Sequence, residues 1–190
     1  MNIARNRNGS AGVWRDMQRR AATVLAIFLL SAACASPAPS PAPAEIEAAQ
    51  FVNTGGCGDA FLWATNAAGT AAITVDWGGA ASEAWANDGF TDTQQLPHAE
   101  ITVSVVEGNQ LTSYYCNDIR MPGQGETSTV EAVSGTVEVT VRPTPQGFEP
   151  SGQADLRMTD ITFRVNLGSG ETWHLDDLFI ENVSVGWLAG

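Results

Sequence analysis

Apolar and polar residues alternate along most of the chain beyond residue 50. The clearest stretch is 135–142, where Val137, Val139 and Val141 share one face and threonine, glutamate and arginine share the other. A period of two predicts a β-strand with one buried and one solvated face, as antiparallel sheets allow. The same alternation predicts further strands at 72–77, 100–106, 110–116, 155–165 and 177–187.

Stretches rich in glycine, proline and asparagine separate these runs, and no long amphipathic helical pattern occurs beyond residue 50. Several short strands with such spacing predict an all-β domain at 51–190, folded as an antiparallel β-sandwich, with a β-barrel as the alternative. We also expect a helical turn at 83–87. The alternation slips near Thr159 and Asp160, which predicts a bulge or a strand that changes sheets.

The first 50 residues have a different composition. Five arginines precede an apolar run at 21–33, and Cys34 follows this run directly. The run suits a signal peptide and falls short of the roughly 20 apolar residues of a permanent membrane span. The following proline, serine and alanine residues favour an extended spacer. We therefore assign 1–33 to a signal peptide and 34–50 to a tether.

The sequence Leu-Leu-Ser-Ala-Ala-Cys at 29–34, with the arginines before it and the tether after it, resembles the N-terminus of a bacterial lipoprotein. The resemblance implies that Cys34 is the first mature residue and carries acyl chains that anchor the protein outside the cytoplasm. Ser31 stands where that family usually has leucine or another aliphatic residue. The alternative is secretion after ordinary cleavage, following Ala33 or Ala35.

The chain has three cysteines, and lipidation of Cys34 would account for the odd one. Cys57 and Cys116 then form an even pair in a compartment where disulfides persist. We expect a disulfide between them that staples one sheet to the other. It would close a loop of about 60 residues and stabilise the fold by about 4 kcal/mol in the chain-entropy model. Two separate buried thiols are the alternative.

The part of the chain that would remain after export is strongly acidic. The formal net charge of the whole chain is −12, and five of its nine basic residues lie before Cys34, as does a single acid, Asp16. From Cys34 onward four arginines face twenty acids, a net charge of −16, with no lysine. This field disfavours binding to nucleic acid and to anionic lipid head groups, so membrane contact would depend on the lipid.

Common catalytic signatures are absent from the sequence, including the G-x-S-x-G elbow, the P-loop and H-E-x-x-H. This absence does not exclude an enzyme, but the sequence favours a non-enzymatic role. The densest polar cluster is 171–177. Alternation there puts Thr172, His174 and Asp176 on one side and Trp173, Leu175 and Asp177 on the other. His174 and Asp176 could bind a metal or pair with each other, but we assign no metal site and expect no cofactor.

Tryptophans are the other candidate ligand-binding residues. We expect Trp77 and Trp187 in the core and Trp85, in a polar stretch, at the surface, where an indole can stack on the apolar face of a sugar ring. Trp85, Trp173, His174 and Asp176 are therefore the possible ligand-binding residues.

The sequence as a whole indicates a membrane-tethered, extracytoplasmic binding or structural module; it does not identify the ligand, for which a protein or a carbohydrate is a candidate. One alternative is a secreted carbohydrate-binding or carbohydrate-cleaving domain. Another is a calcium-stabilised adhesion-type domain, because Asn87-Asp88-Gly89 with Asp92 resembles a fragment of a calcium loop. A solvated turn is the simpler interpretation of those residues.

Overall fold

The computed structural model describes residues 44–144, 151–165 and 170–186. The chain divides into two units, Met1–Pro39 and Ser40–Gly190. The signal peptide, Cys34, most of the tether and Trp187 lie outside the described residues. The strands are β1 (Ala44–Glu45), β2 (Phe51–Cys57), β3 (Phe61–Asn66), β4 (Ala71–Trp77), β5 (Phe90–Leu96), β6 (Ile101–Asn109), β7 (Gly125–Pro143), β8 (Ser151–Arg164) and β9 (Thr172–Gly186); the helices are α1 (Ala80–Asn87), α2 (Leu111–Tyr114) and a 3-10 turn (Ala48–Gln50).

The strands form one sheet in the order β1-β9-β8-β7-β6-β4-β3-β2, with β5 on β7. All pairs are antiparallel except β1 with β9. The sheet curls until its ends meet, where Gly186 N–H donates to the carbonyl oxygen of Gly58 at 2.6 Å. The all-β, antiparallel prediction is confirmed, and the curl makes the sheet a nearly closed barrel, the alternative that the sequence left open.

The long strand β7 connects the two sides of this barrel. Its first half pairs with β6, whereas its second half pairs with β5 on one edge and β8 on the other. We call the side made of β5, the second half of β7, β8 and β9 the β8–β9 wall. The opposite side, made of β2, β3, β4, β6 and the first half of β7, is the β3–β4 wall.

The core lies between the walls and follows the predicted alternation. Val137, Val139 and Val141 are buried and belong to the same cluster as Leu156 and Met158 of β8. Helix α1 covers the predicted helical turn at 83–87 and adds three buried alanines to this core: Ala80, Ala81 and Ala84. Because the interior is lined by β-branched and aliphatic side chains at every second position, the period-two pattern was a sufficient signal for these strands.

The prediction of a strand at 110–116 is wrong. Helix α2 occupies this segment, between Gln110 and Cys116, which both have left-handed backbone conformations, with φ of 53° and 57°. Leu111 and Tyr115 are four positions apart, which is helical spacing, and both are buried. They pack against Trp63, Ala72 and Val106, and the five residues form a second apolar cluster on the outside of the β3–β4 wall.

The disulfide between Cys57 and Cys116 is present, with 5.8 Å between the Cα atoms. We expected this disulfide to link one wall to the other, and that expectation is wrong. Cys57 ends β2, and Cys116 follows the helix that packs on the outside of the same wall. The bridge therefore fastens the β6–β7 connection to the β3–β4 wall.

The predicted bulge near Thr159 is confirmed. Asp160 has a φ of 55°, and the register of β7 against β8 shifts between Ser134 and Thr136. Gly135 lies at this shift with a φ of 131°, a conformation that is essentially restricted to glycine. A Cβ there would lie 2.8 Å from Cα of Ile161 and 2.9 Å from the carbonyl oxygen of Asp160. The bend of β7 and the bulge of β8 are thus in direct contact.

We predict that Gly135→Ala lowers the free energy of unfolding by about 3 kcal/mol or more, because it adds both backbone strain and a steric clash. Urea denaturation followed by tryptophan fluorescence measures this change. The matched control is Gly78→Ala, where the nearest atom to a new Cβ is 3.9 Å away and the expected change is within about 0.5 kcal/mol. Equal stability of the two variants would contradict the prediction.

Candidate functional site

The outer face of the β8–β9 wall is a broad polar surface. Threonines face each other or other polar side chains across its strands, as in the hydrogen bonds of Thr91 with Thr140 at 3.2 Å and of Gln95 with Thr136 at 2.8 Å. Phe179, which is 52% exposed, lies opposite Arg157 in the strand register. The face therefore combines hydrogen-bonding groups with an exposed aromatic ring.

One ion pair on this face is held by four hydrogen bonds. The guanidinium of Arg142 donates to both carboxylate oxygens of Asp155, at 2.6 and 3.0 Å, and to the side-chain oxygen of Asn182 at 3.1 Å. The backbone N–H of Asn182 donates to Asp155 at 2.8 Å. The guanidinium of Arg142, followed by this N–H, holds the pKa of Asp155 below its ordinary value, although partial burial opposes the shift.

A second group on the same face brings together three metal-ligand side chains. One ligand atom from each of Asp160, His174 and Asp176 lies within 4.8 Å of the other two. Nε2 of His174 is 3.0 Å from Oδ1 of Asp176, so these two residues pair, which is one of the two roles that the sequence allowed them. His174 is partly buried and the two aspartates are exposed.

Two local irregularities place the carboxylates. Alternation along β8 would turn Asp160 inward, but Ile161 occupies the inward position and the bulge leaves Asp160 on the outer face. In β9 Leu175 and Leu178 are buried, so Asp176 and Asp177 both face outward. The expectation that Asp177 lies on the opposite side from Asp176 is therefore wrong.

Neighbouring contacts distinguish the two outward aspartates of β9. Asp177 accepts from Nε of Arg157 at 3.0 Å, which neutralises its charge. Asp176 pairs with His174, and within the described ranges no ion pair involves Asp160. The Thr162 hydroxyl lies 3.5 Å from Nδ1 of His174, at the limit of a hydrogen bond. This contact helps to orient the ring with Nε2 towards the carboxylates.

The candidate tryptophans lie elsewhere. Trp173 faces the interior and packs against the core, on the opposite side of β9 from His174. It lines a cleft with Ile46 and Phe51 near the start of β2. Trp85 is 38% exposed on α1, as expected, and Trp77 is buried, as expected. The structure thus brings together His174 and Asp176 but neither tryptophan.

Two of the polar side chains in the candidate calcium loop, Asn87 and Asp92, make contacts within their own segment. The side-chain amide of Asn87 donates to the carbonyl and carboxylate oxygens of Glu83 at 3.0 and 2.8 Å. Both carboxylate oxygens of Asp92 accept hydrogen bonds, from Thr93 N–H at 2.8 Å and from the Gln94 side chain at 2.7 Å. These contacts are those of a solvated turn, the simpler interpretation of the sequence.

Sequence reasoning missed Asp160 as a member of the polar group. The signal was present, because the alternation slips at this residue, but a slip alone does not say which side chain changes face. Only the register of β8 against β9, with Thr159 opposite Asp177 and Ile161 opposite Leu175, shows that Asp160 and Asp176 face each other.

Comparison with protein-family models, with curated proteins and with solved structures finds no match for this chain.

We predict that Asp155→Asn lowers the free energy of unfolding at pH 7 by about 1–2 kcal/mol, because it removes a charge-assisted, bidentate pair. The pKa of Asp155 is lowered from its ordinary value of 3.8, so the stabilisation is present above that pH and is lost as the pH falls below it. Urea denaturation at pH 7 and at acidic pH should show the gap between wild type and variant closing on acidification.

Asp177→Asn is the matched control, because the ion pair of Asp177 with Arg157 is more exposed and is expected to contribute about 0.5 kcal/mol or less. A gap between wild type and Asp155→Asn that stays constant from pH 7 to pH 2 would contradict the prediction.

Proposed function

We propose that this chain is exported, anchored to a membrane through lipid on Cys34, and that its β domain acts outside the cytoplasm as a binding module. The observation that carries the proposal is the disulfide between Cys57 and Cys116. It uses two of the three cysteines, which leaves Cys34, directly after the apolar run, as the remaining one. Disulfides persist mainly in oxidising compartments, which supports export.

The polar face of the β8–β9 wall supports a binding role because many of its side chains already have cross-strand partners. The face is held by cross-strand hydrogen bonds and by the Arg142 and Arg157 ion pairs, so a ligand would not need to order it. In the part of the chain that the structure describes, no helix is long and apolar enough to span a membrane. The proposal places membrane attachment in the lipid on Cys34.

The attachment can be tested on the full-length chain expressed in a bacterial host. Mass spectrometry of the mature protein should find Cys34 as the first residue and acyl chains on it. Cys57→Ser, the matched cysteine control, should keep the same acylated N-terminus, whereas Cys34→Ala should lose the acyl mass. An unmodified mature N-terminus at Cys34 or at Ser36 would contradict lipidation and favour simple secretion.

A second candidate function, carbohydrate binding, is favoured by the surroundings of Trp85. Its indole lines an open cleft of about 510 Å³ with Asn87, Asp88 and Thr144. Sugar recognition uses this combination, because an aromatic ring covers the apolar face of a pyranose while carboxylate and hydroxyl groups, here those of Asp88 and Thr144, bind its hydroxyls. The ligand class would be a neutral oligosaccharide, since the acidic surface repels anionic ones.

For this second function we predict that a cell-wall or plant-type oligosaccharide changes the tryptophan fluorescence of the wild-type protein. Trp85→Ala should abolish the change, because it removes the stacking surface, which is worth about 1 kcal/mol or more. Trp85→Phe should retain part of the affinity, because it keeps an aromatic ring. A panel without any response, or an unaltered response in Trp85→Ala, would rule out this cleft as a sugar site.

A further inference from the structure

The outer face of the β8–β9 wall carries a donor set that the anchoring proposal does not use. We propose that Asp160, His174 and Asp176 bind a divalent transition-metal ion of the zinc type, with at least one coordination position open to solvent. The proposal is independent of whether Cys34 carries lipid.

The geometry of the three side chains is close to that of a metal site. In a tetrahedral zinc site, with metal–ligand distances of about 2.0–2.1 Å, ligand atoms lie about 3.4 Å apart. Here the three ligand atoms lie within 4.8 Å of one another, and Nε2 of His174 is already 3.0 Å from Asp176. Small side-chain rotations of the exposed Asp160 and Asp176 would close the remaining gap, and the paired backbones of β8 and β9 would not need to move.

The charges on this part of the wall favour a cation. Asp160 and Asp176 face each other, and within the described ranges no arginine forms an ion pair with either carboxylate. Arg157, three residues before Asp160 on β8, is engaged with Asp177. A divalent ion would offset two facing carboxylates more fully than a histidine can.

The orientation of His174 also suits a metal ligand. The Thr162 hydroxyl lies near Nδ1, so a proton on Nδ1 would leave the lone pair of Nε2 directed at the two carboxylates. Metal-ligating histidines usually have such a second partner on the other ring nitrogen, which fixes the tautomer and the ring. Thr162 is therefore a positioning residue in this proposal.

The donor types select the metal. One imidazole nitrogen with two carboxylate oxygens suits Zn²⁺ and its neighbours in the first transition row. Ca²⁺ takes six to eight oxygen ligands, and Mg²⁺ retains most of its waters, so neither uses a histidine well. Three protein ligands leave a fourth position for water or for an oxygen or nitrogen atom of a ligand, as in open zinc sites.

Isothermal titration calorimetry with zinc chloride tests the proposal on the intact, oxidised chain, stripped with a chelator and carrying no polyhistidine tag. We expect one Zn²⁺ per chain. His174→Ala and Asp160→Asn should each raise the dissociation constant about tenfold or more, because each removes one of three ligands. Titration with Co²⁺ should produce a visible absorption band that is lost in His174→Ala.

His98→Ala is the matched control, because His98 is the other histidine in the sequence and lies in the turn between β5 and β6, where its Nδ1 accepts the backbone N–H of Glu100. It should bind zinc like the wild type. Thermal unfolding without metal would show whether each variant is folded, and His174→Gln provides a second, milder replacement.

Three results would overturn the proposal: no binding by the folded wild type, zinc binding that His174→Ala and Asp160→Asn leave unchanged, or an equal loss in His98→Ala. The second result would mean that zinc binds loosely elsewhere on the acidic surface. A failure of lipidation at Cys34 would leave all these outcomes unaffected, so the two proposals can fail separately.

Discussion

The sheet depends on the bend of β7 at Gly135. A single strand of 19 residues can serve both walls only if it turns from β6 towards β5 and β8, and the backbone achieves this with a φ that a side chain would oppose. The same turn brings Gly135 against the backbone of Asp160 and Ile161, where β8 carries its bulge. Bend and bulge are two parts of one adjustment in register.

This adjustment connects the fold to the candidate site. Without the extra residue in β8, Asp160 would point towards the core, where an unpaired carboxylate is very unfavourable. With it, the carboxylate joins His174 and Asp176 on the outer face. The polar group is therefore a product of strand geometry. Asp160 lies 14 residues from His174 and 16 residues from Asp176 along the chain, and the pairing of β8 with β9 brings the three side chains together.

The sequence predicted those parts of the structure in which one physical cause dominates. Burial of every second side chain identified the second half of β7, and a polar setting identified Trp85 as exposed. The segment 110–116 was misassigned because Leu111 and Tyr115 satisfy both a period of two and a period of four. Packing against apolar residues on the outside of the β3–β4 wall stabilises the helix. The local sequence of 110–116 does not show that this outer face is apolar. The outward positions of Asp160 and Asp177 were missed for a related reason. The face of the sheet on which a residue lies near a bulge depends on the register with the neighbouring strand, which the sequence does not show.

Near closure of the barrel also removes strand edges through which the domain could self-associate. In an open sheet β2 and β9 would be edge strands, with rows of free backbone groups that could recruit a strand of another molecule. Here their ends meet at Gly58 and Gly186, and β1 pairs with β9 beside Trp173 and His174. Strand β5, which pairs only with β7 in the described sheet, carries an aspartate and two glutamines along its length. The backbone topology and the polar residues on β5 would thus oppose edge-to-edge aggregation, in addition to the repulsion between acidic surfaces.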